Sequence, residues 1–274
     1  MERRLAVVTW LVVMACFAGR ANASDLFGVS LPPNNPSVLY SVDQFSGHVT
    51  TIGATGFPAV TDLTSNPLTG TTWGVDVTTR QLLVIDPHTG AASAAATLDS
   101  ADPIASIAFD PVTGRLFGNS AVEFGPHSDI LYQIDPATGH TTSIGPIGIA
   151  SVFALAFDQN GVLFGVSHGT HELITISTAT GTATHAVPIG ALEAFDIASR
   201  PEDNTMFLAD SKTGSLYTLN TATGATLAVG PYGTAPTPNI AGLAFMSEAP
   251  EASTYVTVMV GLGLVFVLRR RRSH

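Results

Sequence analysis

LYQIDPATGHTTSIG, residues 131–145, decides the fold. It opens on a short apolar stretch, passes through Asp135-Pro136-Ala137-Thr138-Gly139 and leaves in a Thr-rich extended run, which reads as strand, tight turn, strand. Pro136 presets φ at the second turn position, the Asp135 side chain caps the turn, and Gly139 takes the left-handed conformation that closes the hairpin. The same pattern recurs as LYSVDQFSGHVTTIG from Leu39, LLVIDPHTGAASAAA from Leu82, LITISTATGTATHAV from Leu173 and LYTLNTATGATLAVG from Leu216. The glycines Gly47, Gly90, Gly139, Gly181 and Gly224 lie 43, 49, 42 and 43 residues apart. A period of roughly 40 to 45 residues is that of propeller blades.

A second unit alternates with the first. It is clearest as SIAFDPVTGRLFGNS from Ser106 and ALAFDQNGVLFGVS from Ala154, with weaker copies at Asp62 to Asp76 and Asp196 to Asp210. Each blade therefore has four strands, a to d. An aromatic recurs in strand b at Phe27, Trp73, Phe117, Phe164 and Phe207, and an aliphatic in strand a at Leu63, Ile107, Leu155, Ile197 and Leu243. One large side chain per blade at fixed register predicts packing between blades rather than a cofactor box. The body opens on DLFGVS at Asp25, a strand b without its a, and ends on AGLAF at Ala241, a strand a without its b. The C-terminal strand is thus expected to complete the N-terminal blade, closing the ring and removing the open edge of a linear array. The expectation is an all-β, five-bladed β-propeller of four-stranded blades over residues 24–248, similar to WD40/NHL-like propellers.

The ends of the chain are of another kind. Residues 1–23 read as a signal peptide: Arg3 and Arg4, an apolar stretch from Leu5 to Ala18, and Ala21-Asn22-Ala23 as a small-x-small cleavage site that leaves Ser24 first. An uncleaved anchor, or a lipoprotein through Cys16, are the alternatives. Cys16 is the single cysteine, so no disulfide framework exists in the body. Between Ser24 and Pro250 stand 19 acidic residues against Arg80, Arg115, Arg200 and Lys212, a net charge of −15. Such a surface repels phosphate backbones, which excludes nucleic acid as a partner.

Residues 249–274 hold Pro250-Glu251-Ala252, the apolar run 255–268 and the cluster Arg269, Arg270, Arg271 and Arg272. This order of Pro-Glu motif, apolar helix and terminal arginines resembles the PEP-CTERM sorting tail of exported proteins in Gram-negative, exopolysaccharide-making bacteria, with Ala252 where Pro-Glu-Pro is usual. The resemblance implies a membrane segment with its arginines on the cytoplasmic side, an exosortase-type processing enzyme as partner, and a cell-surface or extracellular destination. A plain C-terminal anchor predicts the same topology.

In such a ring the a–b and c–d turns share one face and the b–c and d–a connections the other. The irregular second face is where function is expected. Its candidate ligand-binding residues are Asp102, Glu123, His127, His168, His171 and Glu172. The two histidines beside Glu172 suggest zinc or copper, but no helix is expected to align them, and neither metal nor cofactor is expected. The Asp-Pro-x-Thr-Gly aspartates read as turn caps rather than calcium ligands. Two functions follow: a non-catalytic surface or matrix protein binding a glycan, exopolysaccharide or protein at the loop face, or a propeller glycosidase or lyase using Asp62, Asp196 and Glu193 at the channel mouth.

Overall fold

A computed structural model describes residues 24–31, 36–120, 129–234 and 238–246. Twenty strands form five antiparallel four-stranded sheets arranged as blades. Blade 1 holds β1 (Asp25–Ser30), β2 (Val38–Val42), β3 (Val49–Ala54) and β20 (Ile240–Met246), and blade 2 holds β4 (Val60–Ser65), β5 (Thr72–Asp76), β6 (Gln81–Ile85) and β7 (Ala92–Thr97). Blade 3 is β8 (Ile104–Phe109), β9 (Leu116–Ser120), β10 (Ile130–Ile134) and β11 (Thr141–Pro146), and blade 4 is β12 (Val152–Phe157), β13 (Leu163–Ser167), β14 (Glu172–Ile176) and β15 (Ala183–Pro188). Blade 5 is β16 (Ala194–Ser199), β17 (Met206–Asp210), β18 (Ser215–Leu219) and β19 (Thr226–Pro231). The inner strands β20, β4, β8, β12 and β16 each pack on the next and close the ring. As the sequence predicts, β20 pairs antiparallel with β1, from Asp25 opposite Met246 to Ser30 opposite Ile240.

The recurrent aromatics pack between blades. Trp73 of blade 2 meets Phe109 of blade 3 at 6.2 Å between ring centroids, Phe117 of blade 3 meets Phe157 of blade 4 at 5.5 Å, and Phe207 of blade 5 meets Phe245 of blade 1 at 5.4 Å. Each pair contributes about 1 kcal/mol beyond the area it buries. Leu63, Ile107, Leu155, Ile197 and Leu243 are all buried, so the register read from the sequence places them in the core.

The turn chemistry also holds at atomic level. Asp43, Asp86, Asp135 and Asn220 each accept the backbone N–H two residues on, at 2.8 to 3.0 Å, and these donors hold the Asp43, Asp86 and Asp135 carboxyls below their ordinary pKa. The turn glycines have a second reason to be glycine. Gly90 has φ +79°, and a Cβ there would stand 2.6 Å from the carbonyl oxygen of Gly53, at the end of the outer strand of the preceding blade. Turn closure and blade-to-blade contact thus meet at one residue.

Among the described residues no helix is long and apolar enough to cross a membrane. The expected signal peptide at 1–23, the expected span at 255–268, Pro250, Glu251 and the arginine cluster lie outside them.

Gly90→Ala is expected to destabilise the fold by about 2 kcal/mol, from strain at positive φ plus the overlap with Gly53. Thermal unfolding of the variant against the parent measures it; an unchanged midpoint would remove the account of the repeat glycines.

Candidate functional site

All five inner strands carry a one-residue bulge at the same place. The extra residues are Thr61, Ala105, Phe153, Phe195 and Ala241, at the end of the channel where the d–a connections enter. Bulges re-aim side chains beside functional sites. Here three blades present Thr or Ala, while the adjacent blades 4 and 5 present half-buried phenylalanines. Phe153 and Phe195 are stacked, with centroids 6.2 Å apart and planes 8° from parallel. The ring of His168, from the b–c loop of blade 4, stands edge-on to both at 5.5 and 5.6 Å, and His171 lies 6.1 Å beyond. The result is an aromatic ledge on one side of the channel mouth.

The two histidines differ in their freedom. His171 has φ +53°, and its Nδ1–H donates to the Leu192 carbonyl at 2.9 Å. Arg80, with φ +57°, occupies the matching position in blade 2 and donates to the Ser100 carbonyl. The backbone carbonyls of Arg80 and His171 accept from Leu98 and Ile189 in the same way. His171 therefore ties its b–c loop to the d–a connection, and one of its nitrogens is committed. Among the described residues neither ring nitrogen of His168 makes a hydrogen bond, so a donor and an acceptor stand free beside the aromatic faces.

One layer further along the channel lie Asp62, Ser106, Ala154, Asp196 and Gly242. Asp62 and Asp196 are 1% and 0% exposed, so they do not sit at an open mouth as the sequence pattern suggests. Asp62 Oδ2 accepts from the Ser106 hydroxyl and from Ile107 N–H at 2.7 Å, and its Oδ1 accepts from Leu63 N–H at 2.6 Å. Asp196 Oδ2 accepts from Leu243 N–H, while its Oδ1 has no donor among the described residues. The two carboxyl groups lie close enough to influence each other's ionisation, and burying both favours keeping a proton on the pair.

Burial pushes Asp62 up to about 7 against the pull of its donors, and burial together with the Asp62 charge pushes Asp196 well above the carboxylate range. With three donors against one for Asp196, Asp62 is the better stabilised as a carboxylate, which puts the pair's last proton on Asp196. Gly242 gives the pair its room, since a Cβ there would stand 2.8 Å from Asp62 Cα.

The remaining candidates are dispersed. Glu193 is a surface residue with its side chain 41% exposed, 3.9 Å from Lys212, and does not join the buried pair. Asp102 stands before β8 with its carbonyl accepting from the Ser100 hydroxyl. Glu172 opens β14 opposite Ser167 and Pro188. Glu123 and His127 lie outside the described residues, and no cluster of three metal-ligating side chains occurs among the described residues. At the far end of the channel, between the a–b turns, a cavity of about 250 Å³ is lined by Leu63, Ala108, Ala156, Ala198 and Ala244 among others. Neither carboxyl of the pair reaches it.

Sequence reasoning missed Phe153 and Phe195 because an aromatic in an inner strand reads as core. The available signal was that the matching positions in the other blades are Thr61, Ala105 and Ala241.

Among solved structures, a chain from the crystal structure of the nidogen/laminin complex is 10% identical, with a TM-score of 0.56 over 83% of this chain and 100% of its own length. A chain of Kuenenia stuttgartiensis hydrazine synthase is 13% identical, with a TM-score of 0.46 over 62% of this chain and 48% of its own. At such identity the first likeness supports the propeller fold and nothing finer. No protein-family model and no curated protein matches the chain.

The carboxyl pair gives a signed pH dependence. The folded protein keeps protons that the unfolded chain loses near its ordinary carboxyl pKa of 3.8, so stability falls as pH rises from about 4 through about 7. Asp196→Asn replaces the proton with an amide that donates to Asp62 and still accepts from Leu243. It should flatten that slope and raise stability at about pH 8 by about 2 kcal/mol. Asp62→Asn turns an amide toward backbone N–H donors and should destabilise at every pH. Equal responses in denaturant titrations of the two variants would contradict the assignment of the proton.

Proposed function

We propose that the protein is an exported, non-catalytic binding module that takes an uncharged polysaccharide segment on the aromatic ledge at the loop face. The observation that carries this reading is the stack of Phe153 and Phe195, half-exposed beside the unengaged ring of His168. The face of an aromatic ring carries partial negative charge and favours the C–H face of a sugar, while a neighbouring imidazole offers hydrogen bonds to hydroxyls. A body of net charge −15 between residues 24 and 250 disfavours phosphorylated, sulfated or uronate chains.

Catalysis at the alternative carboxylates is not favoured. A general acid must reach the leaving oxygen of its substrate within hydrogen-bond distance. Asp62 and Asp196 are buried, and each accepts from a backbone N–H of the next blade, while Glu193 faces solvent at Lys212.

The ends of the chain supply the setting. The Arg3-Arg4 start with its apolar run supports export. The Pro250-Glu251 motif, apolar stretch and arginine cluster support membrane retention followed by processing by an exosortase-type enzyme, with delivery to the cell surface or matrix. The exopolysaccharide of the producing cell is the first ligand to test.

Retention of the purified exported protein on immobilised neutral polysaccharide, with reducing ends assayed in the same tube, decides the matter. Phe153→Ala and Phe195→Ala should each weaken retention about tenfold with no new ends released in any variant. Unchanged retention in both would overturn the ledge, and new ends lost in Asp196→Asn would make the protein an enzyme.

A further inference from the structure

Ser24 is 2% exposed although it stands at the start of the described body, one residue before β1. Its N–H donates to Glu202 Oε1 at 2.6 Å and its hydroxyl to Glu202 Oε2 at 3.0 Å, so one residue occupies both oxygens of a carboxylate 178 positions away. Its carbonyl accepts from Gln44 Nε2 at 3.2 Å. Gln44 in turn accepts from Arg200 at 2.9 Å. Arg200 is itself held by Asp203 at 2.6 and 2.9 Å and lies 5.5 Å over the Phe207 ring. These groups join the a–b turn of blade 5 to the first strand and c–d turn of blade 1, across the seam where the ring closes. The charged groups around the Ser24 nitrogen are thus Glu202, Asp203, Arg200 and the adjacent, exposed Asp25.

We infer that Glu202 is the receptor for the chain's own processed N-terminus: cleavage between Ala23 and Ser24 creates an α-ammonium that docks on the Glu202 carboxylate and fastens blade 1 to blade 5. The inference rests on the export reading above. Water adds across the Ala23–Ser24 peptide bond; the C–N bond breaks, Ala23 keeps the carboxylate and the Ser24 nitrogen takes up protons. The uncut amide offers Glu202 one hydrogen, whereas the ammonium offers three and a positive charge, which turns a neutral hydrogen bond into a charge-assisted one. Two independent features converge on the same bond: the Ala21-Asn22-Ala23 pattern in the sequence and the carboxylate that meets the next residue's nitrogen in the fold.

The test uses protein exported by the producing cell. Its mass and N-terminal sequence are read first, and its amines are then labelled with an amine-reactive ester at neutral pH. Lys212, the only lysine in the chain, is the internal reference. The expected mature chain begins at Ser24. Because a nearby carboxylate favours the unreactive ammonium, Ser24 should label about fivefold more slowly than in Glu202→Gln. Glu202→Asp, with the same charge on a shorter reach, should fall between them and serves if the Gln variant does not accumulate. An uncut exported chain would overturn this inference and leave export standing, whereas a chain retained in the cytoplasm would overturn the export reading on which it rests. A mature start elsewhere, or equal labelling with and without Glu202, would overturn the docking site and leave export standing.

Discussion

An inner strand of a propeller has one edge paired within its blade and another turned toward the channel, and backbone groups on that second edge need partners wherever water is shut out. In this protein side chains from the preceding blade supply them. Asp62 takes Ile107 N–H, Thr64 takes Phe109 N–H, Asp129 takes Val152 N–H, and Asp196 takes Leu243 N–H at the closing seam. In the other direction Thr61 donates to the Ala105 carbonyl and Asn119 to that of Val152. Three of these caps are carboxyl groups, and two of them, Asp62 and Asp196, influence each other's ionisation, so that keeping both buried favours a proton on the pair. The raised pKa values, the glycine at 242 and the closed channel all follow from that single requirement.

The same requirement divides the molecule by chemistry. The carboxyls that look most like an acid and base are occupied in holding blades together, and the cavity behind them is lined by apolar and uncharged polar side chains with no charged group. Among the described residues the bulged end of the inner strands is where the repeat is least regular, since blades 4 and 5 depart there from the other three. Asymmetry in a repeat is informative because the scaffold does not need it. Blades 2, 3 and 1 show that Thr or Ala suffices at the bulge, so the phenylalanines are not required to build the ring.

Much of the architecture was legible in the chain because its causes are local. The Asp-x-x-Thr-Gly turns, the spacing of Gly47 to Gly224 and the half-blades at Asp25 and Ala241 each constrain a short segment, and together they give strand count, register and closure. The site was less legible because its causes are not local. Asp62 and Asp196 were recognisable as equivalent positions, but their burial depends on what lies across the channel. His171 looked like a ligand residue beside His168, yet its conformation and its bond to Leu192 repeat the role of Arg80. Glu193 shares a blade with Asp196 but turns toward Lys212. Phe153 and Phe195 were hidden by their type, since the sequence does not distinguish an aromatic packed between blades from one turned into a channel mouth.

The central claim is that the Asp62–Asp196 pair is a proton-sharing structural cap and not a reacting centre. Infrared difference spectroscopy of the carboxyl C=O stretch tests it most directly, comparing parent and Asp196→Asn at about pH 8, where ordinary carboxyls are ionised. The account predicts a protonated-carboxyl band in the parent that is absent from Asp196→Asn and unmoved by saturating polysaccharide. A parent with no such band, or a band that shifts when polysaccharide is added, would contradict it.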